Sequence, residues 1–360
     1  MIKVLFECHH LYYLANFIPI IQEMKKRERY NITATIPYET AQREKNIFKN
    51  AIEELDIILI QPENEKQRIK KIRNETFDIL IVGNVGNLNK IVHNQTLAVM
   101  VYHGIGLKQS YYMDIDNRID IRSVESASRY NELTNQGFQN LALTGYSKCD
   151  PLVKKKKKIN LMDLGLLANK NTVLYAPSFY PSSIDKLLPY LEEISINFNL
   201  IIKLHNFSWH QKRYKYQSNE ILKLTNKCSN IYLASPEEFN IIPFYHIADV
   251  LISDISSTIF EYLYLNRPII IAECFTLRNK HKIFKRRFLR KMDLARGKAI
   301  DFAYKLSNPK ELNNILNSAI ESPLFHNKER IEAQTEYLYK TDGKASSRLI
   351  DYIENKLKKF

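Results

Sequence analysis

The fold of this chain is decided by one stretch in its second half, Leu251-Ile252-Ser253-Asp254-Ile255-Ser256-Ser257-Thr258-Ile259-Phe260-Glu261. A short apolar run ends at Asp254, hydroxyl residues follow, and apolar residues then recur at helical spacing. This order predicts a buried strand, a loop and a helix, as in a parallel α/β sheet. The free backbone N–H groups at the helix start and the hydroxyls of Ser256, Ser257 and Thr258 predict a phosphate site.

Glu261 lies one turn into the predicted helix, and two roles are open to its carboxylate. It caps the helix N-terminus, as in a capping box, or it binds the ribose hydroxyls of a nucleotide.

Outward from this stretch, short apolar runs alternate with helix-like segments, which is typical of a doubly wound α/β sheet. In the second half, strands are predicted at Thr172–Ala176, Leu200–Lys203, Asn230–Leu233, Ala248–Ser253 and Pro268–Ala272. Helices are predicted there at Ile184–Phe198, Gln217–Lys227, Thr258–Leu265, Glu311–Glu321 and Ser346–Lys359.

The first half has the same alternation. Strands are predicted at Lys3–Phe6, Asn31–Ile36, Asp56–Ile60, Asp78–Val82 and Leu97–Tyr102, with a helix at Ala15–Arg27. The lysine run Lys154–Lys158 separates the two series as a solvated linker. We therefore predict two Rossmann-like α/β domains facing a central cleft. Residues 1–158 form the first domain, and residues 159–360 form the second, which includes the closing C-terminal helices.

The composition narrows the class of partner. The 360 residues include 53 Lys+Arg and 39 Asp+Glu, a formal net charge of +14, which predicts an anionic partner. A chain that is 45% hydrophobic is not intrinsically disordered. Nucleic acid is disfavoured as the partner, because the positive charge is the only feature that favours it. No helix-turn-helix, zinc or RNP motif is present.

Four scattered cysteines lack any CxxC spacing, so neither a metal site nor a disulfide framework is expected, and a reducing cytoplasm fits. No cofactor is expected, because protein groups are expected to neutralise the charge of bound phosphate groups. The first residues are predicted to form a strand rather than a signal peptide, and no apolar run reaches the roughly 20 residues of a membrane-spanning helix.

Two histidines end predicted strands. His103 follows an apolar run and precedes Gly104, where the backbone can approach a ligand, and Lys108 adds a charge nearby. His205 closes another apolar run, and strand alternation puts Lys203 on the same side. Ordinary loop or paired structural residues are the alternative interpretation for both histidines.

A basic segment runs from Arg278 to Lys298, with Phe284, Phe288 and Leu289 interleaved among its cations. This pattern is typical of an amphipathic helix on an anionic membrane surface, although a basic wall of an active-site cleft or a solvated helix has similar spacing.

Several of these segments, in the same order, resemble the CDP-glycerol glycerophosphotransferase family, the teichoic-acid polyol-phosphate transferases of the GT-B fold. Residues 102–108 are similar to its WHGTPLK segment, 145–150 to GYPRND, 174–178 to LYAPT and 202–205 to IKxHP. Residues 249–268 are similar to the long motif ADVLITDYSSxxFDxxxLxKP.

The resemblance implies transfer of a glycerol- or ribitol-phosphate unit from a CDP-activated donor to a hydroxyl of a lipid-linked or polymeric cell-surface glycan, with release of CMP. It implies an undecaprenyl-diphosphate-linked or polymeric acceptor for a teichoic acid or capsule, and a cytoplasmic, peripheral location at the inner membrane face. Residues 1–158 are then the acceptor-side domain, and residues 159–360 are the nucleotide-donor domain. His103 and His205 are then the catalytic residues, with His103 assigned as base. The substrate and phosphate contacts implied are Gly104, Lys108, Ser178, Lys203, Asp254, Ser256, Ser257, Thr258 and Glu261.

Departures from the family pattern leave the donor open. Phe179-Tyr180 stand where the family has Trp-Arg, which removes a phosphate-binding arginine, and Glu261 replaces an aspartate. The alternative is a GT-B glycosyltransferase or UDP-sugar epimerase acting on a nucleotide sugar. A basic binding protein without catalysis is a third hypothesis, which the ordered strand-end motifs disfavour.

Overall fold

The computed structural model describes residues 1–86, 88–106, 117–153, 159–254, 256–284, 297 and 299–358. Over these residues the chain forms two compact α/β units. The first comprises Met1–Ile105, Ser110–Lys154 and Glu336–Phe360, and the second comprises Gly106–Gln109 and Lys155–Thr335.

The first unit is built on a parallel sheet of order β3-β2-β1-β4-β5-β6-β7. Its strands are β1 Ile2–Glu7, β2 Tyr30–Thr35, β3 Ile58–Ile60, β4 Ile79–Val82, β5 Leu97–Val101, β6 Ile121–Val124 and β7 Leu141–Leu143. Its helices are α1 Leu11–Lys26, α2 Gln42–Glu54, α3 Glu65–Glu75, α4 Leu88–Ile91 and α5 Ala127–Asn135, with a 3-10 segment at Ser147–Val153.

The second unit repeats this plan with a parallel sheet of order β10-β9-β8-β11-β12-β13. Its strands are β8 Thr172–Ala176, β9 Asn199–Ile202, β10 Ile231–Leu233, β11 Val250–Ser253, β12 Ile269–Ala272 and β13 Tyr304–Leu306. Its helices are α6 Ile184–Asn197, α7 Phe207–His210, α8 Lys215–Thr225, α9 Ile242–Ile247, α10 Thr258–Tyr262, α11 Asn279–Ile283, α12 Leu312–Glu321 and α13 Asn327–Tyr337. Shorter 3-10 segments lie at Leu161–Leu164, Leu263–Leu265 and Pro309–Glu311.

The prediction of two Rossmann-like parallel sheets is confirmed. Strands β8 and β11 bury every residue, because helices cover both faces of each parallel sheet. In the second unit, one apolar cluster joins these strands to the inner faces of α6 and α12. A cleft between the two units stays a prediction.

The last helix, α14 Ala345–Leu357, differs from the expected domain plan. The sequence predicts it as a closing helix of the donor domain, whereas it packs in the first unit. The carboxylate of Asp150 accepts hydrogen bonds from the N–H groups of Ala345 and Ser346 at 2.9 and 2.8 Å. Arg27, the C-cap residue of α1, pairs with Asp351 at 2.7 Å. These partners lie far from α14 in sequence, which is why a linear division of the chain misplaced it.

Candidate functional site

In each sheet the order of the strands reverses at one point, so that successive strands are added on one side of it and then on the other. This point lies between β1 and β4 in the first unit and between β8 and β11 in the second. Open α/β sheets bind ligands outside the carboxyl ends of the strands at such a switch point. The predicted site residues follow these strands or their neighbours, so each unit is described in turn.

His103 lies just beyond β5 in the first unit and is partly buried. Its Nδ1 is 2.8 Å from the carbonyl oxygen of Gly83, which follows β4. A carbonyl only accepts, so Nδ1 carries the proton and, in the neutral ring, the lone pair is at Nε2. This tautomer suits a general base acting through Nε2. Gly104 follows directly and is buried.

Tyr13 at the start of α1 fixes the orientation of the His103 ring. The two rings stack with centroids 4.4 Å apart and an interplanar angle of 23°. Gly83 permits this packing, since a Cβ there would lie 2.7 Å from Tyr13 Cδ2. Asn84 donates from Nδ2 to the Tyr13 hydroxyl at 3.3 Å. The histidine is thus held by a backbone carbonyl and by an aromatic face that is itself anchored.

Two further histidines, His9 and His10, extend this aromatic cluster along the edge of the sheet. Their rings lie 5.1 Å apart, and His10 stacks on Tyr12. Burial and the proximity of His9 lower the pKa of His10 to about 4, and burial followed by the charge of Arg68 lowers the pKa of His9. Both rings are therefore neutral at pH 7 and add apolar and hydrogen-bonding surface rather than charge.

A cavity of about 300 Å³ opens at the same switch point. Buried Arg68 is one of its lining residues and pairs with Glu7 at 2.7 Å and with Glu65 at 2.5 Å. Burial raises the pKa of Glu7 despite the attraction of Arg68. With the lining carboxylates outnumbering the lining cations, this cavity favours hydroxyl groups over phosphates. Its polar lining residues are Glu7, His9, Glu39, Glu65, Arg68, Asn84 and Lys90.

His205 of the second unit has the opposite hydrogen-bonding pattern from His103. Its Nδ1 accepts the backbone N–H of Phe207 at 3.1 Å, so the proton of the neutral ring is on Nε2. The ring packs between Phe179 and Phe207, with centroid distances of 4.6 and 5.0 Å. His205 is therefore arranged to donate a hydrogen bond, as phosphate stabilisation requires.

Lys203 lies one residue beyond β9 and is buried. Its Nζ donates to the carbonyl oxygen of Leu204 at 3.3 Å. A buried ammonium brings positive charge to the same strand end as His205.

Asp254 is placed differently from the expected phosphate contact. The residue is only 1% exposed. Its carboxylate accepts the N–H of Ser178 at 2.8 Å and that of Ser183 at 3.2 Å. Burial raises its pKa to about 7. Asp254 thus holds the loop between β8 and α6 from a buried position, and this burial disfavours direct contact with a phosphate.

The Ser178 hydroxyl is used within the same loop. It donates to the carbonyl oxygen of Pro181 at 2.6 Å and also lies 3.3 Å from Asp254. A phosphate contact by this hydroxyl is disfavoured for the same reason.

The hydroxyl residues after β11 form the start of α10, as the sequence predicts. Ser257 is the N-cap residue and Ser256 precedes it, both half-buried. Thr258 differs from the two serines, because its hydroxyl bonds to Ser253 Oγ at 2.7 Å inside the fold. Ser256 and Ser257 are the better placed pair for a phosphate.

Glu261 is buried, and its carboxylate accepts the Tyr245 hydroxyl at 2.9 Å. This burial disfavours the ribose-binding interpretation.

Some predicted features lie outside the described residues. These are Lys108, the lysine run 154–158 and most of the basic segment, including Phe288 and Leu289. Of that segment, the described part includes Arg278, helix α11, Ile283 and Phe284.

The sequence prediction missed a second pocket beside His205. A cavity of about 320 Å³ is lined by two arginines and by aromatic residues of the loop after β8 and of the start of α8: Phe179, Tyr180, Arg213, Tyr214, Tyr216 and Arg278. Adjacent basic and aromatic residues such as Arg213-Tyr214 were the available signal, but only the fold brings them together with Phe179-Tyr180.

Within the described ranges, no group of three or more His, Cys, Asp or Glu side chains is arranged to hold a metal ion. No helix in that part of the chain combines the length and apolar character that crossing a bilayer requires.

Comparisons with known proteins bear on this arrangement. Residues 117–355 match the family model described as CDP-Glycerol:Poly(glycerophosphate) glycerophosphotransferase. The chain is 25% identical to the teichoic acid glycerol-phosphate primase of Bacillus subtilis (strain 168), over 95% of this chain and 89% of that protein.

Solved structures share the fold. The wall teichoic acid polymerase TagF, soaked with CDPG, superposes with a TM-score of 0.72 at 15% identity, covering 99% of this chain and 89% of that one. A putative UDP-N-acetylglucosamine 2-epimerase from Listeria monocytogenes gives a TM-score of 0.65 at 17% identity, covering 100% and 97% of the two chains. At these identities the structural similarity establishes the fold alone. The class of reaction is indicated by the family match.

Proposed function

Since the chain belongs to the CDP-glycerol:poly(glycerophosphate) glycerophosphotransferase family and is therefore a transferase, we propose that it moves a polyol-phosphate unit from a CDP-polyol to a hydroxyl of a cell-surface glycan. The observation that carries this proposal is the family match over residues 117–355, together with the similarity to a glycerol-phosphate primase along almost the whole chain.

The proposed reaction is a displacement at the β-phosphorus of the donor. The acceptor oxygen forms a bond to that phosphorus, the bridging P–O bond to the α-phosphate breaks, and CMP leaves. The acceptor proton goes to Nε2 of His103, where the neutral ring fixed by Gly83 has its lone pair. General-base catalysis of this kind typically contributes 10²–10⁴-fold to the rate.

Groups of the second unit are proposed to stabilise the charge of the leaving CMP. His205 donates from Nε2, Lys203 supplies positive charge, and Ser256 and Ser257 offer backbone N–H and hydroxyl groups.

The acceptor is proposed to approach along the first unit. The cavity that Arg68 lines is connected to His103 through Asn84, which also lines the cavity and bonds to Tyr13, the residue stacked on His103. Its excess of carboxylates suits a polyhydroxylated group. A lipid-linked or polymeric saccharide, such as an undecaprenyl-diphosphate-linked one, fits this description.

We also propose that the enzyme works at an anionic membrane surface. Helix α11 carries Lys280 and Lys282 beside Ile283 and Phe284, which are 75% and 57% exposed. Exposed apolar side chains next to cations favour an anionic lipid interface.

The test of the reaction is release of CMP from CDP-glycerol and CDP-ribitol, with UDP-N-acetylglucosamine as the competing donor. We expect CMP release from a CDP-polyol, at least 100-fold slower after His103→Gln. His93→Gln is the matched control, because His93 also contacts a backbone carbonyl, that of Arg73 at 2.8 Å. UDP release or epimerisation with no CMP release would establish the nucleotide-sugar alternative, and full activity of His103→Gln would remove the base assignment.

A further inference from the structure

The pocket beside His205 contains an unusual pair of cations. Arg278 follows β12, and its guanidinium carbon lies 4.0 Å from the ring centroid of Tyr180 and 5.1 Å from that of Tyr214. A guanidinium over an aromatic face is held in place without losing its charge or its outward N–H groups. Arg278 is therefore preorganised.

Tyr180 is itself fixed on both sides. Its hydroxyl accepts the backbone N–H of Arg278 at 3.2 Å and lies 2.6 Å from Nδ1 of His281. The ring that supports the guanidinium is thus tied to the chain segment that carries it.

Arg213 brings a second positive charge to the same pocket. Burial, and after it the charge of Arg213, lower the pKa of Arg278, so the two cations are close enough to repel each other. Among the described residues neither arginine forms an ion pair with a carboxylate. Asp185 also lines the pocket, but the bond found for its carboxylate is the Tyr216 hydroxyl at 3.4 Å. An anion bound by both guanidinium groups would offset their repulsion.

We propose that Arg213 and Arg278, supported by Tyr180 and Tyr214, form a binding site for a phosphate group of the substrates. Guanidinium groups bind phosphate oxygens through paired, charge-assisted hydrogen bonds, which suits this ligand better than a neutral sugar. The site deepens the proposed function and rests on it for the identity of the substrate.

The position of the pocket links it to the reaction. Phe179 contacts both Tyr214, at 5.1 Å between centroids, and His205, at 4.6 Å. A phosphate in the pocket therefore lies one aromatic ring away from His205. The pair Phe179-Tyr180 lacks the arginine that the family has at this position. Arg213 and Arg278 bring guanidinium groups into the pocket beside this pair from other segments of the chain.

The phosphate has two possible sources, the pyrophosphate of the donor and a phosphodiester of the acceptor. Both present the same chemistry to the arginines. The experiment separates them by measuring each ligand alone.

The experiment compares the full-length wild type with Arg278→Gln, Arg213→Gln and Arg278→Lys by calorimetric titration. The probes are inorganic pyrophosphate, CDP-glycerol and a short glycerol-phosphate oligomer. Lys223→Gln is the matched control, because it removes one positive charge from the same unit on an exposed surface of α8. Circular dichroism confirms that each variant is folded.

We expect each glutamine variant to weaken pyrophosphate binding about tenfold, the loss typical of a charged hydrogen bond. Arg278→Lys should bind at an intermediate level, because it keeps the charge and loses the planar stacking. A parallel loss for CDP-glycerol assigns the pocket to the donor, and a loss for the oligomer alone assigns it to the acceptor.

Unchanged affinity of folded glutamine variants for all three probes would overturn the proposal, as would an equal loss with Lys223→Gln. Because pyrophosphate binding is measured without turnover, this outcome is separate from the failure of the transferase reaction. A chain that binds pyrophosphate through these arginines but releases no CMP would keep the site and reject the reaction.

Discussion

His103 and His205 share a residue type and differ in the backbone group that each ring meets. A carbonyl oxygen faces Nδ1 of His103, and an N–H group faces Nδ1 of His205. The first arrangement prepares a proton acceptor and the second a proton donor. The sequence places both residues at strand ends, but the division of roles depends on Gly83 and Phe207.

Gly83→Ala is expected to lower the turnover number by about tenfold or more while the protein remains folded. The new Cβ meets the Tyr13 ring at 2.7 Å, and a shift of that ring displaces the stacked His103. The turnover number from CMP release and the dissociation constant of CMP are the two measurements.

The dissociation constant serves as the control, because the groups proposed to bind CMP lie in the second unit. Equal losses in turnover and in CMP affinity would contradict a local effect on His103.

Asp254→Asn is expected to change how the melting temperature depends on pH. In the folded protein, burial raises the pKa of Asp254 from 3.8 to about 7. The folded state therefore holds this proton over a range where the unfolded chain has lost it, so wild-type stability falls as pH rises from about 4 to about 7. Asparagine does not ionise, so this part of the decrease should disappear.

The measurement is the difference in melting temperature between wild type and Asp254→Asn at pH 5 and pH 7.5. We expect the advantage of the wild type to shrink by a few degrees at the higher pH. A difference that is constant between these pH values would show that folding does not raise the pKa of Asp254.

The predicted roles of Asp254 and Glu261 depended on whether their carboxylates are buried, which the sequence does not show. A carboxylate after a strand, such as Asp254, faces a ligand or turns inward to bind backbone N–H groups, and both fit the same pattern. Glu261 has the same ambiguity, and its burial and its contact with Tyr245 disfavour ribose binding.

At the level of elements, apolar strands were predictable because burial on both faces demands continuous apolar runs. Strand β8 begins and ends where the sequence predicts. Strand β6 was missed, since it reads Ile-Arg-Ser-Val and its Arg122 is buried against the ring of Phe138. Helices α2 and α3 were missed as well, because charged residues dominate them.

Asp150→Ala is expected to destabilise the protein by about 1–2 kcal/mol, in the range of a lost helix cap. The two N–H groups at the start of α14 lose their acceptor in a buried position. Urea unfolding followed by circular dichroism measures the change.

Glu53→Ala is the control for this variant, because its exposed carboxylate makes one long contact with Lys49, at 3.7 Å. It should change the free energy of unfolding by less than about 0.5 kcal/mol. An effect of Asp150→Ala no larger than the control would mean that α14 does not depend on this cap.

At the scale of the whole molecule, the net charge of +14 indicates anionic partners without locating them. The structure places two of the cations in the pocket beside His205 and buries Lys203 at a strand end. The linker lysines and most of the basic segment lie outside the described residues, so their part in membrane binding stays a prediction.

We expect the protein to sediment with phosphatidylglycerol vesicles at low salt and to be released at high salt, since the attraction is about 1 kcal/mol per cation and is screened. The double variant Ile283→Ser, Phe284→Ser should reduce this binding several-fold.

The matched control is Leu324→Ser, Phe325→Ser, which alters an apolar pair of the same unit with 72% and 68% exposure. Equal effects of the two double variants, or binding to neutral phosphatidylcholine vesicles that is as strong, would argue against a membrane contact at α11.

The return of α14 to the first unit also has a consequence for protein engineering. Nearly all of the second unit is one uninterrupted stretch, Lys155–Thr335, inserted between two parts of the first. Such a stretch can be exchanged as a single cassette between related genes, while both flanks of the recipient unit stay in place. Chimeras made in this way would show whether the cassette determines which nucleotide is released. Hybrids with a single junction near residue 158 would instead combine Asp150 of one parent with α14 of the other.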